Sequence, residues 1–291
     1  MLEGGYKPPF KDGCLPQVYS EKNNKSALKH SGFVVSEAEK WAKKKVVKEG
    51  FVKPTCVSPL TVAERLQGEV EKLRLCLDLS RYINLLLKKE PVKLANIEIC
   101  TQALLPGDFI GTYDLSSAFH HVRIYEPHQQ YLGFAIPGKD GGERYFIFLV
   151  MPFGLASAVK CITRMTKPLC SYISGQGIGH SIYIDDGNVL ARTLALVLQQ
   201  LSFVLTTLEK AGFVISEEKT DTEESVSQVK VYLGFVIDSV NMTLGVTTEK
   251  IKDIRKAIWE GIGIAGPQKT RAIDRSIGKV VAAEPAFGPV V

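Results

Sequence analysis

The chain has 291 residues, of which 45% are hydrophobic, 23% charged and 9% aromatic. These are globular proportions that exclude wholesale disorder and collagen-like or coiled-coil repeats. The longest uncharged stretches, Pro168 to Ile184 and Thr193 to Leu208, fall short of the roughly 20 apolar residues of a membrane-spanning helix. The start of the chain lacks the apolar run of a signal peptide, so an intracellular protein, cytoplasmic or nuclear and without a membrane partner, is expected. The net charge of +5 resides in residues 1–48, which hold ten Lys against five acids. A basic segment on a neutral body suits a polyanion, although a solvated helix face has the same composition. Six cysteines and five histidines show no zinc or redox spacing, and no structural zinc is expected.

In chain order, residues 1–33 are rich in Gly, Pro, Lys, Asn and Ser and read as a poorly ordered basic arm. Ser36 to Glu49 reads as a helix with Ala38, Trp41, Ala42 and Val46 inward and a Lys40, Lys44, Lys48 stripe on another face. Leu73 to Leu79 and Phe109 to Leu115 read as short strands. Tyr131 to Ile136 and Arg144 to Val150 flank Pro137-Gly138-Lys139-Asp140-Gly141-Gly142, a hairpin signature. Ser157 to Ile173 is a helix pattern in which Pro168 should introduce a kink. Thr193 to Ala211 is the clearest helix, its leucine and valine stripe packing on a sheet and its end marked by Gly212. Val229 to Ile237 reads as a strand and Glu249 to Gly261 as a helix; the tail beyond Gly266 offers no obvious partner. Helices interspersed with hairpin-linked strands give an α+β class.

The segment Ser181-Ile182-Tyr183-Ile184-Asp185-Asp186-Gly187-Asn188-Val189-Leu190 carries the chemistry. Apolar runs flank the acids, so it reads as a hairpin with the acid pair at its tip. An Asp-Gly turn alone is usually structural, but two adjacent carboxylates on a rigid strand also suit an oxygen-preferring divalent cation. Asp114 ends the strand Phe109-Ile110-Gly111-Thr112-Tyr113, where its plainest role is an N-cap. If the two strands are neighbours, Asp114 and Asp185 can bracket two metal ions roughly 4 Å apart, as phosphoryl transfer requires.

Thr112-Tyr113-Asp114-Leu115-Ser116-Ser117-Ala118-Phe119-His120-His121-Val122 resembles the first palm motif of reverse transcriptases. Met151-Pro152-Phe153-Gly154-Leu155-Ala156-Ser157-Ala158 resembles the second, and Tyr183-Ile184-Asp185-Asp186 the aromatic-X-Asp-Asp box. Gly212 to Lys219 is similar to the next motif, Tyr232-Leu233-Gly234-Phe235 to the primer grip, and Leu73-Arg74-Leu75-Cys76-Leu77-Asp78 to a fingers strand. The resemblance runs from about residue 55 to 250. Leu-Asp-Leu-Ser, Ile277-Gly278-Lys279 and Pro285-Ala286-Phe287-Gly288-Pro289 look closest to retrotransposons of the DIRS, tyrosine-recombinase type.

That resemblance implies a right-hand polymerase fold, with an antiparallel palm sheet backed by helices. It divides the chain into the arm (1–33), fingers (34–108), palm (109–245, with a fingers hairpin at about 124–150) and the start of an incomplete thumb (246–291). It implies RNA-directed and DNA-directed DNA polymerase activity that adds dNMP from dNTPs to a primer 3′-hydroxyl on an RNA or DNA template. Two Mg²⁺ ions, or Mn²⁺ in their place, would be held by Asp114, Leu115, Asp185 and Asp186. Arg74 would bind the triphosphate with its fork of donors, and Phe119 would lie under the sugar and exclude a 2′-hydroxyl. Phe153 and Gly154 would cover the incoming nucleotide, Lys219 would protonate the departing pyrophosphate, and Leu233 and Gly234 would grip the primer. Bland readings exist for each: a salt-bridged surface arginine, a core aromatic, a solvated loop lysine.

Val159 stands where the family usually has proline, and Leu73 replaces a frequent proline before Arg74; neither change removes a chemical group. RNase H and recombinase domains would belong to a longer polyprotein. The alternatives are a non-catalytic nucleic-acid-binding relic of the same fold and an RNA-dependent RNA polymerase, which Phe119 disfavours. A nucleotide cyclase with a similar palm is disfavoured by the Pro152-Phe153-Gly154 loop.

Overall fold

The computed structural model describes residues 4–67, 70–92, 94, 96–138, 140–263 and 268–287. Met1 to Glu3, Lys139, Gly266, Gly288 and Pro289, which figure in the sequence expectations, lie outside the described residues. The chain forms two compact units, Met1–Val92 with Ser117–Met165, and Lys93–Ser116 with Thr166–Val291. Up to Val92 the elements are β1 (Tyr19–Ser20), α1 (Lys25–Lys29), α2 (Ser31–Lys43), β2 (Val47–Gly50), β3 (Cys56–Val57), β4 (Leu60–Gln67), β5 (Val70–Leu77) and α3 (Ile83–Leu86). Next come α4 (Ile97–Ala103) and β6 (Phe109–Asp114), then α5 (Glu126–Gln129), β7 (Gly133–Pro137) and β8 (Glu143–Phe148). Helix α6 (Ala158–Gly175) spans the division between the units and runs through Pro168. The rest is β9 (Gly179–Tyr183), β10 (Asp186–Ala191), α7 (Leu194–Lys210), β11 (Val229–Tyr232), β12 (Phe235–Asp238), β13 (Thr243–Val246), α8 (Thr248–Gly263) and α9 (Gln268–Val281). Strands and helices are mixed in an α+β architecture, and no described helix is long and apolar enough to cross a membrane.

The first unit holds a five-stranded sheet in the order β1-β3-β7-β8-β2 and the separate β4–β5 hairpin. Helix α2 buries Val34, Ala38 and Trp41, one face at helical spacing, and Trp41 packs 5.3 Å from Phe148 on β8. The helix expected over Ser36 to Glu49 is therefore displaced. Lys44 closes it, Lys45 turns through φ 56°, and β2 pairs Val47 with Phe148. The β-branched Val46-Val47 pair favours the sheet over another helical turn, so Lys48 leaves the Lys40–Lys44 stripe and lies on a strand. The expected poorly ordered arm is likewise corrected over its described part. Tyr6 N–H donates to Arg123 O and Lys11 N–H to Leu86 O, while β1 pairs in parallel with β3. Pairing of these backbone groups outweighs the segment's loop-like composition.

The second unit is built on an antiparallel three-stranded sheet, β6-β10-β9, with α7 against β6 and β10. Thr193 caps α7 by accepting from Leu196 N–H, and Val197, Leu201, Val204 and Leu208 form its buried stripe. Gly111 marks the close approach, since a Cβ there would lie 3.4–3.5 Å from Val197 and Leu201 side chains. The single strand expected over Val229 to Ile237 is instead the β11–β12 hairpin. Leu233 and Gly234 both take positive φ, 50° and 78°, the two-residue turn whose twist matches paired strands. Tyr232 and Phe235, opposite each other beside that turn, join Ile97, Cys100, Leu104, Ile110, Leu190 and Ile237 in one buried cluster. The tail also finds a partner: α9 packs on α8, Ser276 Oγ donating to Ala257 O at 2.8 Å.

Candidate active site

Strand β6 ends at Asp114, which places that carboxylate at the sheet end with only 6% of the residue exposed. Strand β10 runs antiparallel beside it in a register that sets Asp186 opposite Asp114, Gly187 opposite Tyr113 and Asn188 opposite Thr112. Because Tyr183 pairs with Asp186, the β9–β10 turn is the dipeptide Ile184-Asp185. Asp186 is thus already on the strand, and only Asp185 of the acid pair is at the tip. Ile184 adopts φ 60°, a left-handed conformation that is unfavourable for a β-branched residue. Leu115 N–H donates to Asp185 O at 2.8 Å, tying the turn to the strand that bears Asp114.

Lys219 Nζ lies 2.9 and 2.8 Å from the two Asp114 carboxylate oxygens. Its backbone belongs to a short 3-10 turn, Glu217–Lys219, and Ser216 N–H donates to Asp114 O at 2.9 Å. Burial pushes the Asp186 carboxyl up to about 6, with further contributions from the Asp185 and Asp114 charges that the Lys219 ammonium partly offsets. Hard carboxylate oxygens of this kind are the donors an oxygen-preferring divalent cation requires. The ammonium seated on Asp114 marks a position where positive charge is already stabilised. Among the described residues no three carboxylate, imidazole or thiolate groups yet converge on one point.

Behind the acids the packing is specific. A Cβ on Gly187 would lie 2.1–2.4 Å from the ring of Tyr113, so glycine is what allows Tyr113 to fill the sheet face. Tyr113 Oη and His180 Nε2 are hydrogen-bonded at 2.6 Å, and burial lowers the imidazole to about 4, which keeps it neutral. Tyr232 Oη donates to Asp186 O at 3.1 Å, joining the Leu233-Gly234 hairpin to the acid strand. Sequence reasoning quoted Tyr113 and Tyr232 within motifs without giving either a role, and it missed the Asp221 carboxylate described below; Gly187 inside an apolar strand was the one signal of the close packing behind the acids.

The remaining expected residues lie in the first unit. Arg74 is exposed on β5 opposite Ala63. Phe119, in the 3-10 turn Ala118–His121, is only partly buried and meets Phe153 edge to face at 5.1 Å, so it is not a core aromatic. Gly154 takes φ 108°, and a Cβ there would lie 2.0 Å from Leu77 O. Its loop is clamped by Asn84, whose Nδ2 donates to Gly154 O at 2.8 Å and whose Oδ1 accepts from Ala156 N–H at 2.9 Å. Asn84 carried no signal in the sequence.

Comparison with known proteins places this architecture. Residues 71–237, more than half of the chain, match the family described as "Reverse transcriptase (RNA-dependent DNA polymerase)". The chain belongs to that family. It is 25% identical over 199 residues to the retrovirus-related Pol polyprotein from transposon opus of Drosophila melanogaster, covering 66% of this chain and 18% of that one. The fold is shared with the foamy viral protease-reverse transcriptase in complex with dsDNA, at TM-score 0.69 and 20% identity over 96% of this chain and 53% of that one. The same protein in complex with an RNA/DNA hybrid gives TM-score 0.61 and 17% identity, covering 94% of this chain and 34% of that one. The chain therefore spans about a fifth of the polyprotein and a third to a half of the foamy viral chains.

Proposed function

We propose that this chain is the polymerase portion of a retrotransposon reverse transcriptase acting inside the cell. It adds deoxynucleotides to a primer 3′-hydroxyl on an RNA or DNA template. The observation that carries the reading is the cross-strand placement of Asp114 and Asp186, with Asp185 on the adjoining turn and Lys219 on Asp114. The nucleic-acid partners follow from the foamy viral relatives, which are bound to dsDNA and to an RNA/DNA hybrid. On this reading residues 34–108 are fingers, 109–245 palm and 246–291 the start of a thumb. The DIRS-type affinity rests on the Leu77-Asp78-Leu79-Ser80 and Ile277-Gly278-Lys279 wording.

Asp114, Asp185 and Asp186, with Leu115, would hold Mg²⁺, which when bound acidifies the 3′-hydroxyl and neutralises phosphate charge. The protein's own groups supply the rest. The Ile184-Asp185 turn and the β6–β10 ladder fix the backbone that bears the carboxylates before substrate arrives. Lys219, positioned beside Asp114, would have its ammonium proton ready for the departing pyrophosphate. Arg74 would offer its planar fork of donors to the triphosphate. The Phe119–Phe153 pair presents an apolar surface with no hydrogen-bond partner for a 2′-hydroxyl, and Leu233-Gly234 places the primer end. A Mg²⁺-dependent primer-extension assay tests the reading: extension by the wild type and none by Asp185→Asn supports it. Nucleic-acid binding without extension would favour the non-catalytic alternative.

A further inference from the structure

We propose that Asp221 is a positioning residue: it pins the far end of the loop that carries Lys219 and so holds the Lys219 ammonium at Asp114. The inference rests on the reading of Lys219 as proton donor given above. The side chain of Lys219 is 62% exposed, so its own surroundings do not fix it. A lysine stem has four rotatable carbons and a single rotating head. What places it is the backbone beneath it, and that backbone is tied at two points to alternate residues of β6.

The near tie is Ser216 N–H donating to Asp114 O at 2.9 Å, and Lys219 N–H closes the turn onto Ser216 O at 3.1 Å. The far tie is Asp221. Its N–H donates to Thr112 O at 2.9 Å, while Oδ2 accepts from Thr112 N–H at 2.6 Å and from Thr112 Oγ1 at 2.9 Å. Oδ1 accepts from Ser225 Oγ at 2.8 Å and from Lys230 Nζ at 2.6 Å. The carboxylate is 8% exposed and its partner Lys230 17%. A carboxylate with four donors is strongly held, and losing it leaves a desolvated lysine behind. Lys219 lies between the ties, so losing the carboxylate leaves the far end held to β6 only by the Asp221 N–H to Thr112 O bond.

The test uses the full chain and two kinds of measurement. In single-turnover addition of one dNTP, Lys219→Gln should slow the chemical step by about 100-fold, the scale of a lost general acid. Asp221→Asn should slow it by about tenfold while the apparent dNTP Kd changes by less than about twofold, and should add nothing to Lys219→Gln. Thr112→Val, which removes one hydroxyl donor and leaves the Asp221–Lys230 pair intact, gives a milder version should Asp221→Asn fail to fold. Independently of activity, reductive ¹³C-methylation labels lysines, and the Lys219 resonance is identified by its loss in Lys219→Arg. Movement of that resonance toward those of free surface lysines in Thr112→Val or Asp221→Asn supports the inference. An unmoved resonance, or an Asp221→Asn effect that multiplies with Lys219→Gln, overturns it while leaving the Lys219 reading intact. A normal rate in Lys219→Gln overturns that reading and this inference together.

Discussion

Asp186 lies directly across the β6–β10 ladder from Asp114, two carboxylates in one antiparallel pair. Like charges at directly opposite positions oppose strand pairing, and here burial raises the Asp186 carboxyl from 3.8 to about 6, with the Asp185 and Asp114 charges adding to the shift. A folded-state value above the unfolded one means that the folded chain binds the proton more tightly. The resulting stability is present at low pH and lost as pH rises from about 4 through about 6. Asp186→Asn removes the titration. The melting temperature of the variant minus that of the wild type, in metal-free buffer, should therefore increase between pH 4 and pH 7. A constant difference would show that the Asp186 carboxyl is not raised in the folded chain.

Divalent metal should reverse this repulsion. On the proposed reading Mg²⁺ would bind the folded cluster and not the unfolded chain, so the wild-type melting temperature should rise in proportion to the logarithm of its concentration. Asp185→Asn should reduce both this response and primer extension, the latter by orders of magnitude, with the circular dichroism spectrum unchanged. Equal Mg²⁺ responses in both proteins would remove Asp185 from the metal site.

Phe119 can be tested by substrate choice. Phe119→Val shortens the side chain that meets Phe153, and the ratio of kcat/KM for rNTP to that for dNTP should rise. If the ratio is unchanged while melting temperature falls, Phe119 serves packing alone.

Gly187 makes a stability prediction. A methyl group there would drive into the Tyr113 ring, and Gly187→Ala should cost roughly 1–3 kcal/mol, the usual range for overpacking. Tyr113→Leu makes room for it, so the double variant should lose less than the sum of the two single variants in urea denaturation. Strict additivity would mean that the ring moves aside without cost.

The sequence was most legible where one local rule acted unopposed. Thr193, the valine and leucine stripe and Gly212 specify α7 from cap to stop, and the apolar runs around Asp185-Asp186 specify a hairpin. It was less legible where distant backbone decided the outcome. The lysine-rich run after Trp41 has helical composition, yet β8 captures Val47 as a strand. Leu233-Gly234 lacks the Asn or Asp that usually announces a tight turn, and the hairpin forms because it buries Tyr232 and Phe235 together. At the site, motif wording singled out Lys219, but its bond to Asp114 joins residues 105 positions apart. Asn84, Asp221 and Tyr232 likewise act through partners far along the chain.

Ile184 gives the acid turn a mechanical character. A left-handed isoleucine costs on the order of 1–3 kcal/mol, and a two-residue connection leaves no slack through which that cost could be relieved without unzipping β9 from β10. The turn therefore behaves as a stiff spring already loaded at folding. On the proposed reading, the backbone position of Asp185 would be set by the ladder before any ligand arrives. Fidelity of placement at this corner is then inherited from the ladder, and any change that softens β9–β10 pairing, however far from the carboxylates, reads out as looser geometry at Asp185.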